Sequence, residues 1–352
     1  MGKLAVYKYF SFMILVVTVM AAFFTFIGLF GGYANPAERT AMAMIVYVLP
    51  IFILIDIVTL LFYLLRRLWH WAAIPFVTLI CCIPYIGTIY KPSFLAPSNQ
   101  EVAGINIASY NVALFGREIT GFKAEDILSE MKEKQKVDIL CIQEYKAFSG
   151  DKDNTSSYLA YFNNVAKGRD DMVIFSRYPV KNSGTIDFGV TNNSAMWADV
   201  DINGKMLRIF NVHLETTGFN RTLHKAAKQE MQGSTVEKNA LISAIYGNYT
   251  RGMVVRARQA DLVAQVIKES KYPVVVCGDF NDVPYSYTYN TMKGDLIDGF
   301  KECGSGFMST FRGKKAVRID YIFHDEALKG LSYYKNNLSF SDHNPVFMKL
   351  AY

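Results

Sequence analysis

The first ninety residues of the chain contain three long apolar stretches, at residues 10–32, 42–65 and 68–90, separated by short polar segments. As an α-helix, each is long enough to cross a hydrocarbon core about 30 Å thick. A cleaved signal peptide is the alternative for the first stretch, but its apolar core is too long and two more stretches follow. The pattern predicts that residues 1–91 form a membrane anchor with three transmembrane helices, which contacts the lipid bilayer through residues 10–90.

Basic residues near the ends of these stretches predict their orientation. Lys3 and Lys8 precede the first stretch, and Arg66 and Arg67 lie between the second and the third. Short cytoplasmic loops carry an excess of Lys and Arg, so these ends are expected on the cytoplasmic side of an inner (cytoplasmic) membrane. Three crossings then place the rest of the chain on the extracytoplasmic side.

One acidic residue, Asp56, interrupts the second stretch. An ionisable group inside a membrane is a functional-site hypothesis by default. The three stretches contain no other acid and no Lys or Arg. The favoured interpretation is therefore a neutral, protonated Asp56 that faces a neighbouring helix.

The pattern changes after a short linker containing Pro and Ser, residues 92–100. From residue 101 to 352, short apolar runs typical of buried strands alternate with amphipathic helical segments. The predicted strands include 105–110, 137–142, 207–212 and 274–277, and the predicted helices are 124–134 and 255–269. We expect one layered α/β domain, with sheet packed on sheet and helices outside.

Charge and cysteine content narrow the function classes. The net charge is +6, but residues 1–100 hold 6 basic and 2 acidic residues, which leaves 31 basic and 29 acidic residues in 101–352. Nucleic-acid-binding surfaces usually show a clustered basic excess, so nucleic acid is a less favoured partner. The five cysteines show no C-x-x-C spacing and are expected to be buried structural thiols.

Polar side chains stand at the ends of the predicted strands, where they can meet in one crevice. Five of them follow apolar strands and two precede one: Asn111, Glu144, His213, Asp279 and Asn281, then Asp342 and His343. Burying a carboxylate is costly unless it is paired or holds a metal. Carboxylates, amides and imidazoles without cysteine favour a hard cation such as Mg²⁺ or Mn²⁺. The composition of this crevice suits phosphoryl chemistry.

Six short motifs, in this order, carry a resemblance to a known superfamily. They are SYN ending at Asn111, IQE ending at Glu144, NVHLE around His213, GDFND around Asp279, RIDYIF with Asp320, and SDHNPV with Asp342 and His343. The chain resembles a membrane-anchored bacterial member of the endonuclease/exonuclease/phosphatase (DNase I-like) superfamily. The resemblance covers roughly residues 104–352 and implies a four-layer α/β sandwich (DNase I-like) for the 101–352 domain, which the three predicted transmembrane helices precede. It also implies divalent-metal-dependent hydrolysis of a phosphoester.

The resemblance further implies a role for each motif residue. The metal ligands would be Glu144, with Asn111 and Asp342 beside it. The catalytic residues would be Asp279, which orients or deprotonates the attacking water; Asn281 and His213, which stabilise phosphate oxygens; and His343, which contacts the phosphate and is held by Asp320. No Ser, Cys or Lys is placed as a nucleophile beside a base, so direct attack by metal-activated water is expected.

Several of these residues have a structural alternative. Asn111 could form an Asx turn, Glu144 could be an exposed loop acid, and His213 could simply end a strand. Outside the implied site, Arg256 and Arg258 are expected to be solvated residues on the face of the 255–269 helix. Asp282 is expected to cap the next turn.

The favoured function is a phosphodiesterase or phosphatase tethered to the membrane, with a phospholipid among its candidate phosphoester substrates. An endonuclease acting on DNA or RNA is the first alternative. The second is a catalytically inactive binding module, which would be expected to have lost one of four residues. All four are present: Glu144, Asp279, Asp320 and His343.

Overall fold

The computed structural model describes two compact units of the chain. The described residues are 3–95, 103–113, 124–145, 160–169, 172–189, 191, 193–232, 237–312 and 316–352. The first unit contains the N-terminal helices up to Thr88 together with Val283–Asn290, and the second contains Ile89–Asp282 and Thr291–Tyr352. The domain boundaries set by a 92–100 linker remain a prediction, and residues 96–100 lie outside the described part.

The N-terminal part of the first unit is helical. Its helices are α1 (Lys3–Gly31), α2 (Pro36–Met44), α3 (Leu49–Leu65), α4 (Trp69–Cys81) and α5 (Ile83–Ile86). Three segments are long and apolar enough to cross a membrane: Tyr7–Gly31, Pro36–Leu65 and Trp69–Ile86. Apolar side chains such as Phe12, Leu54 and Phe76 are exposed along these helices. Helices that are apolar all round are typical of membrane spans.

Polar side chains pair inside this unit. The Thr25 hydroxyl donates to Asp56 Oδ2 at 2.8 Å, and the Thr18 and Tyr63 hydroxyls lie 3.1 Å apart. All four side chains are buried, so these two contacts pair polar groups of α1 with polar groups of α3. Asp56 therefore faces the neighbouring helix α1, as the favoured interpretation of the sequence expected.

The second unit is built on two six-stranded sheets. The first sheet has the order β13-β14-β2-β3-β5-β4, with strands Lys329–Lys335, Val346–Ala351, Ile105–Asn111, Ile139–Gln143, Val173–Ser176 and Asn164–Lys167. The second has the order β10-β12-β9-β8-β7-β6, with strands Ile297–Asp298, Asp320–His324, Val274–Asp279, Lys205–His213, Ser194–Ile202 and Val180–Ile186. A separate pair joins β1 (Tyr90–Lys91) to β11 (Gly306–Phe307).

The helices of the second unit are α6 (Ala124–Ser129), α7 (Phe219–Met231), α8 (Lys238–Lys268) and α10 (Gly299–Cys303). Helix α9 (Tyr287–Lys293) begins in the segment that belongs to the first unit. A π-helical turn, Glu130–Lys134, continues α6. The sequence predicted one continuous helix over 124–134, so this change of helix type is a correction.

Side chains that alternate in direction along the strands of the first sheet contribute to an apolar cluster on each of its two faces. In β2, Ile105 and Ile107 join the apolar cluster that contains residues of both sheets. Ala108 and Tyr110 of the same strand join a second cluster with residues of α6. Successive side chains of a strand point to opposite faces, so one strand serves two layers. This arrangement, with α8 at the second sheet, confirms the predicted four-layer α/β sandwich.

Helix α8 is longer than the sequence pattern predicted. The expected helix was 255–269, whereas α8 begins at Lys238, and its buried residues begin only at Gly252. The segment before Gly252 shows no apolar periodicity because it contributes no buried side chain to the core. The mixed polar strand β6 was missed for a similar reason, since most of its residues are exposed or half-buried.

Parallel pairing brings the predicted polar residues to one edge of each sheet. Strands β2 and β3 run parallel with Asn111 opposite Gln143, and β8 and β9 run parallel with His213 opposite Asp279. Asp320, at the start of β12, is also paired with Asp279. The carboxyl ends of β2, β3, β8 and β9, with their polar residues, therefore lie at the same end of the two packed sheets.

Gly278 allows β8 and β9 to approach closely just before Asp279. Its φ is +142°, and a Cβ atom there would lie 1.9 Å from the carbonyl oxygen of Val212. No side chain can be accommodated at that distance without movement of the backbone. Gly204, in the turn between β7 and β8, has a φ of +92°, but a Cβ atom there would meet no other atom within 4 Å.

We predict that Gly278→Ala destabilises the protein much more than the matched control Gly204→Ala. Both changes add backbone strain of about 1–2 kcal/mol. Only Gly278→Ala also forces the two strands apart, which raises the total to at least about 3 kcal/mol. Thermal unfolding of the full chain in detergent measures the difference. Equal losses of Tm in the two variants would contradict the close approach of β8 and β9.

Candidate active site

Asn111 connects the two acidic residues at the centre of the site. Its amide nitrogen donates to Glu144 Oε1 at 3.2 Å and to Asp279 Oδ2 at 3.0 Å. Its amide oxygen accepts from the backbone N–H of Ala113. Asn111 and Asp279 are buried, whereas the Glu144 side chain is 33% exposed. The structure therefore brings together one residue from each of three motifs, with Glu144 on the solvent side.

His343 is held between two buried carboxylates. Its Nδ1 lies 3.0 Å from Asp320 Oδ2, and its Nε2 lies 3.6 Å from Asp279 Oδ2. A carboxylate at Nδ1 fixes the tautomer and the orientation of an imidazole ring. Asp320 is thus placed to orient His343, as the motif resemblance implied.

His213 and Asn281 complete the group around Asp279. His213 Nε2 lies 3.7 Å from Glu144 Oε1 and 4.0 Å from Asp279 Oδ2. Asn281 donates its backbone N–H to Asp279 Oδ1 at 2.8 Å and its amide to the carbonyl of Leu214 at 2.9 Å. One carboxylate, Asp279, is therefore the common neighbour of two amides and two imidazoles.

Two residues of the site adopt left-handed backbone conformations. Glu144 has a φ of 55° and Asn281 a φ of 51°. Asn tolerates this region, but Glu adopts it at a cost of about 1–3 kcal/mol. The chain thus turns sharply directly after β3 and β9, which presents both side chains at the strand ends.

Burial and mutual charge separate the pKa values of the site. Burial is the main cause that raises the pKa of Asp279, to about 6. Burial also lowers the pKa of His213 below its usual range, against the opposing effect of Asp279. For His343, burial alone would lower the pKa, but Asp320 and Asp279 outweigh it and raise that pKa to about 10. At neutral pH the site therefore combines an ionised Asp279, a neutral His213 and a charged His343.

The SDHN motif is anchored by Ser341, which sequence reasoning did not single out. The Ser341 hydroxyl donates to the carbonyl of Asn111 at 2.8 Å and accepts from the backbone N–H of His343 at 3.1 Å. Asp342, half-buried, accepts at its backbone carbonyl from the N–H of Arg312. The position of Ser341, two residues before His343, is the sequence signal that could have indicated this turn.

Thr310 and Phe311 support the Asp320–His343 pair and were also missed as site residues. The Thr310 hydroxyl accepts from the backbone N–H groups of Ile319 and Asp320, both at 3.0 Å. The ring of Phe311 packs edge-on against the His343 imidazole at 5.2 Å. These hydrogen bonds join the Thr310 segment to the start of β12 and to the residue before it.

The structure corrects the prediction for Arg256. Arg256 is not a solvated residue, because its side chain is fully buried and its Nε donates to Asp282 Oδ2 at 3.0 Å. Asp282 is likewise buried and forms this ion pair. Arg258 is exposed, as expected. The pattern of α8 alone could not show Arg256 to be buried, since its partner lies beyond the following strand.

The donors at the site fit a hard divalent cation. Among the described residues, Asp279, Asp320 and His343 form a group whose ligand atoms all lie within 4.8 Å of one another. Both oxygens of Asp320 face His343, however, and the two carboxylates are 1% exposed. A cation that keeps several water ligands needs an accessible carboxylate. Glu144 offers one, so the solvent side of the site, with Asn111, is better suited to hold the ion than the buried group.

Solved structures with this fold were found by structural comparison. A D. rerio TDP2 humanized by 14 mutations is 18% identical with a TM-score of 0.51, over 70% of this chain and 99% of that chain. An endonuclease/exonuclease/phosphatase from Bacteroides vulgatus is 18% identical with a TM-score of 0.51, over 71% and 99%. One from Beutenbergia cavernae DSM 12333 is 18% identical with a TM-score of 0.50, over 71% and 72%. At this level of identity the likeness concerns the fold, which is DNase I-like.

Sequence comparison finds two matching regions in the chain. Residues 11–89 match a domain of unknown function, DUF8431. No protein with a curated description matches the chain. Residues 108–343, more than half of the chain, match the Endonuclease/Exonuclease/phosphatase family. The chain therefore belongs to the Endonuclease/Exonuclease/phosphatase family, a family of phosphoester hydrolases.

Proposed function

We propose that this protein is a membrane-tethered phosphodiesterase or phosphatase that depends on a divalent cation, Mg²⁺ or Mn²⁺. The observation that carries the proposal is the pair of hydrogen bonds from Asn111 to Glu144 and Asp279. Through it, the side chains of three distant motifs share one small site. Membership of the family supports hydrolysis of a phosphoester as the reaction.

Asp279 is the base in the proposed reaction. Its carboxylate is ionised at neutral pH, and a pKa raised to about 6 makes it a stronger proton acceptor than an ordinary Asp. Hydrogen bonds from Asn111 and Asn281 fix its orientation. A water molecule beside Asp279 would lose its proton to this carboxylate as its oxygen bonds to phosphorus. The bond from phosphorus to the ester oxygen would break in the same step, and the leaving alkoxide would take up a proton from solvent.

The two histidines provide complementary donors for the phosphate. His343, kept charged by Asp320 and Asp279, presents Nε2 on the side of Asp279. His213, neutral at the same pH, lies on the side of Glu144. Donors fixed in place before the reaction stabilise charge that develops on the phosphate oxygens. Asn281 lies half-buried beside them and is proposed to contact the same oxygens.

Glu144, with Asn111 and Asp342, is proposed to hold the divalent cation. When bound, such a cation polarises the phosphate and neutralises its charge. The accessibility of Glu144, whose side chain is 33% exposed, and its hydrogen bond from Asn111 support this assignment. Asp342 is half-buried, and the structure fixes its backbone carbonyl through a hydrogen bond from the N–H of Arg312.

The membrane anchor keeps the catalytic domain close to a membrane surface and so restricts which substrates it encounters. We propose that the substrate is a phosphoester available at a membrane, with phospholipid head groups as the first candidates to test. The balance of 31 basic and 29 acidic residues in 101–352 supports this choice over a polyanion such as DNA or RNA.

We predict that Glu144→Gln and His343→Ala each lower kcat/KM by about 10²-fold or more, because each removes charge that acts on the phosphate. The measurement uses the full chain in detergent with Mg²⁺. The substrates are p-nitrophenyl phosphate, bis-p-nitrophenyl phosphate, sphingomyelin, inositol phosphates and plasmid DNA. Chelation with EDTA should abolish the activity, and added Mg²⁺ or Mn²⁺ should restore it.

The matched control for Glu144→Gln is Glu326→Gln, which removes an exposed carboxylate outside the site. It should leave kcat/KM within about 2-fold of the parent protein, as surface changes usually do. Full activity in both Glu144→Gln and His343→Ala would reject the proposed site. Cleavage of plasmid DNA alone would instead identify the protein as a nuclease.

We also predict that the catalytic domain lies on the extracytoplasmic side. In a Cys81→Ser background, a cysteine at the exposed position of Glu326→Cys should react with a membrane-impermeant maleimide in intact spheroplasts. A cysteine at the exposed position of His70→Cys should react only after the membrane is permeabilised, since basic loops stay in the cytoplasm. The reverse labelling pattern would contradict the proposed orientation.

A further inference from the structure

A fully buried arginine, Arg256 of α8, lies directly behind the site. Its Nε donates to Asp282 Oδ2 at 3.0 Å, and its Nη1 donates to the backbone carbonyl of Glu215 at 2.8 Å. The side chains of Arg256 and Asp282 are 0% and 2% exposed. One guanidinium group therefore bridges two chain segments that are far apart in sequence.

Gln259, one turn further along α8, holds the same segment. Its Oε1 accepts from the backbone N–H of Glu215 at 2.8 Å, and its side chain is buried. Residues three positions apart share one face of a helix. Arg256 and Gln259 thus bind the carbonyl and the N–H of a single residue, Glu215, from one side of α8.

The two segments held by α8 are those that carry the reacting groups. Glu215 follows His213 by two residues, and Asp282 follows Asp279 by three. The segments are also joined directly, because Leu214 donates to the Asp279 carbonyl and accepts from the Asn281 amide. Any shift of Glu215 or Asp282 would be passed to these neighbours.

Asp282 extends this arrangement to the third strand of the site. Its backbone carbonyl accepts from the Tyr321 hydroxyl at 2.8 Å, and Tyr321 follows Asp320 in β12. The segments after β8 and β9, together with β12, therefore all contact the Arg256–Asp282 pair. The Arg256–Asp282 pair can therefore influence the positions of the site residues without any contact between Arg256 and the substrate.

We propose that Arg256, with Asp282 and Gln259, is a positioning residue that sets the distance between His213, Asp279 and Asn281 for catalysis. The inference rests on the proposed function of the same site. Arginine is required because its planar group donates in two fixed directions, whereas lysine is a point charge on a flexible four-carbon stem. Small displacements of reacting groups can lower a rate about 10²-fold.

The first test compares Arg256→Lys with Arg208→Lys in the full chain. Arg208 forms a two-point pair with Asp199 at 2.6 and 2.9 Å, at the opposite end of β8 from His213. We expect Arg256→Lys to lower kcat about 10- to 100-fold while KM changes less than about 3-fold. Arg208→Lys should leave kcat within about 2-fold. Equal effects of the two changes would overturn the proposal.

A double-mutant cycle separates positioning from a general loss of structure. If Arg256 acts through the Asp279–Asn281 segment, the effect of Arg256→Lys on kcat should shrink to about 2-fold in an Asn281→Ala background. If Arg256→Lys and Asn281→Ala instead lower kcat by factors that multiply independently, the result would contradict a positioning role. Should Arg256→Lys fail to fold, Gln259→Met carries the same test, since it removes one neutral hydrogen bond and is expected to lower kcat about 3- to 10-fold.

Hydrogen–deuterium exchange of the full chain tests the inference without activity. Arg256→Lys should increase exchange at least about 3-fold in peptides covering 213–217 and 279–284, and Arg208→Lys should not. Unchanged exchange in both peptides would overturn the proposal even if the enzyme is active. If the parent protein hydrolyses no phosphoester, the proposed function fails, while the exchange result still decides the role of Arg256.

Discussion

Burial of the Asp279 carboxylate is the constraint on which the rest of the site depends. An ionised carboxylate removed from water loses several kcal/mol of hydration, which partners must compensate. Here the compensation comes from Asn111, from the backbone of Asn281 and from the charge on His343. Each of these partners must therefore stand at a strand end next to β9. The same requirement that stabilises the fold places the reacting groups together.

The two sheets share a second polar contact beneath the site. Gln143 of β3 donates its amide to Asn211 of β8 at 2.6 Å, and both side chains are fully buried. Asn211 in turn donates to the carbonyl of Ile142 at 2.9 Å. Glu144 directly follows Gln143, and His213 lies two residues after Asn211. The contact between Gln143 and Asn211 therefore fixes the two sheets relative to one another close to these two site residues. A buried polar group without such a partner would be costly.

The fold and most of the site could be predicted from the sequence because both depend on local patterns. Apolar runs ended by Asn111, Glu144, His213 and Asp279 mark strands with polar carboxyl ends, and parallel strands bring such ends to one edge. A series of six motifs in order then indicates the superfamily. These signals need no knowledge of which distant residues touch.

The rest could not be predicted because it depends on partners far apart in the chain. Residues 256–258 of α8, Arg-Ala-Arg, have the charged pattern of a solvent-exposed helix face. Arg256 nevertheless pairs with Asp282, which follows β9 in the chain. Tyr285, which lies beyond β9 in the chain, packs within the first unit against Tyr85 with ring centroids 5.4 Å apart. The residue roles at the site, including Glu144 as a metal ligand, stay proposals that geometry supports.

The most direct test of the central claim is the location of a bound cation. Crystals of the full chain grown with Mn²⁺ are measured just above and just below the manganese absorption edge, so that an anomalous peak present only above the edge identifies the ion. Our account predicts a peak about 2 Å from a carboxylate oxygen of Glu144, on the solvent side of Asn111. A peak held by Asp320 and His343 without Glu144, or no peak in this crevice, would contradict it.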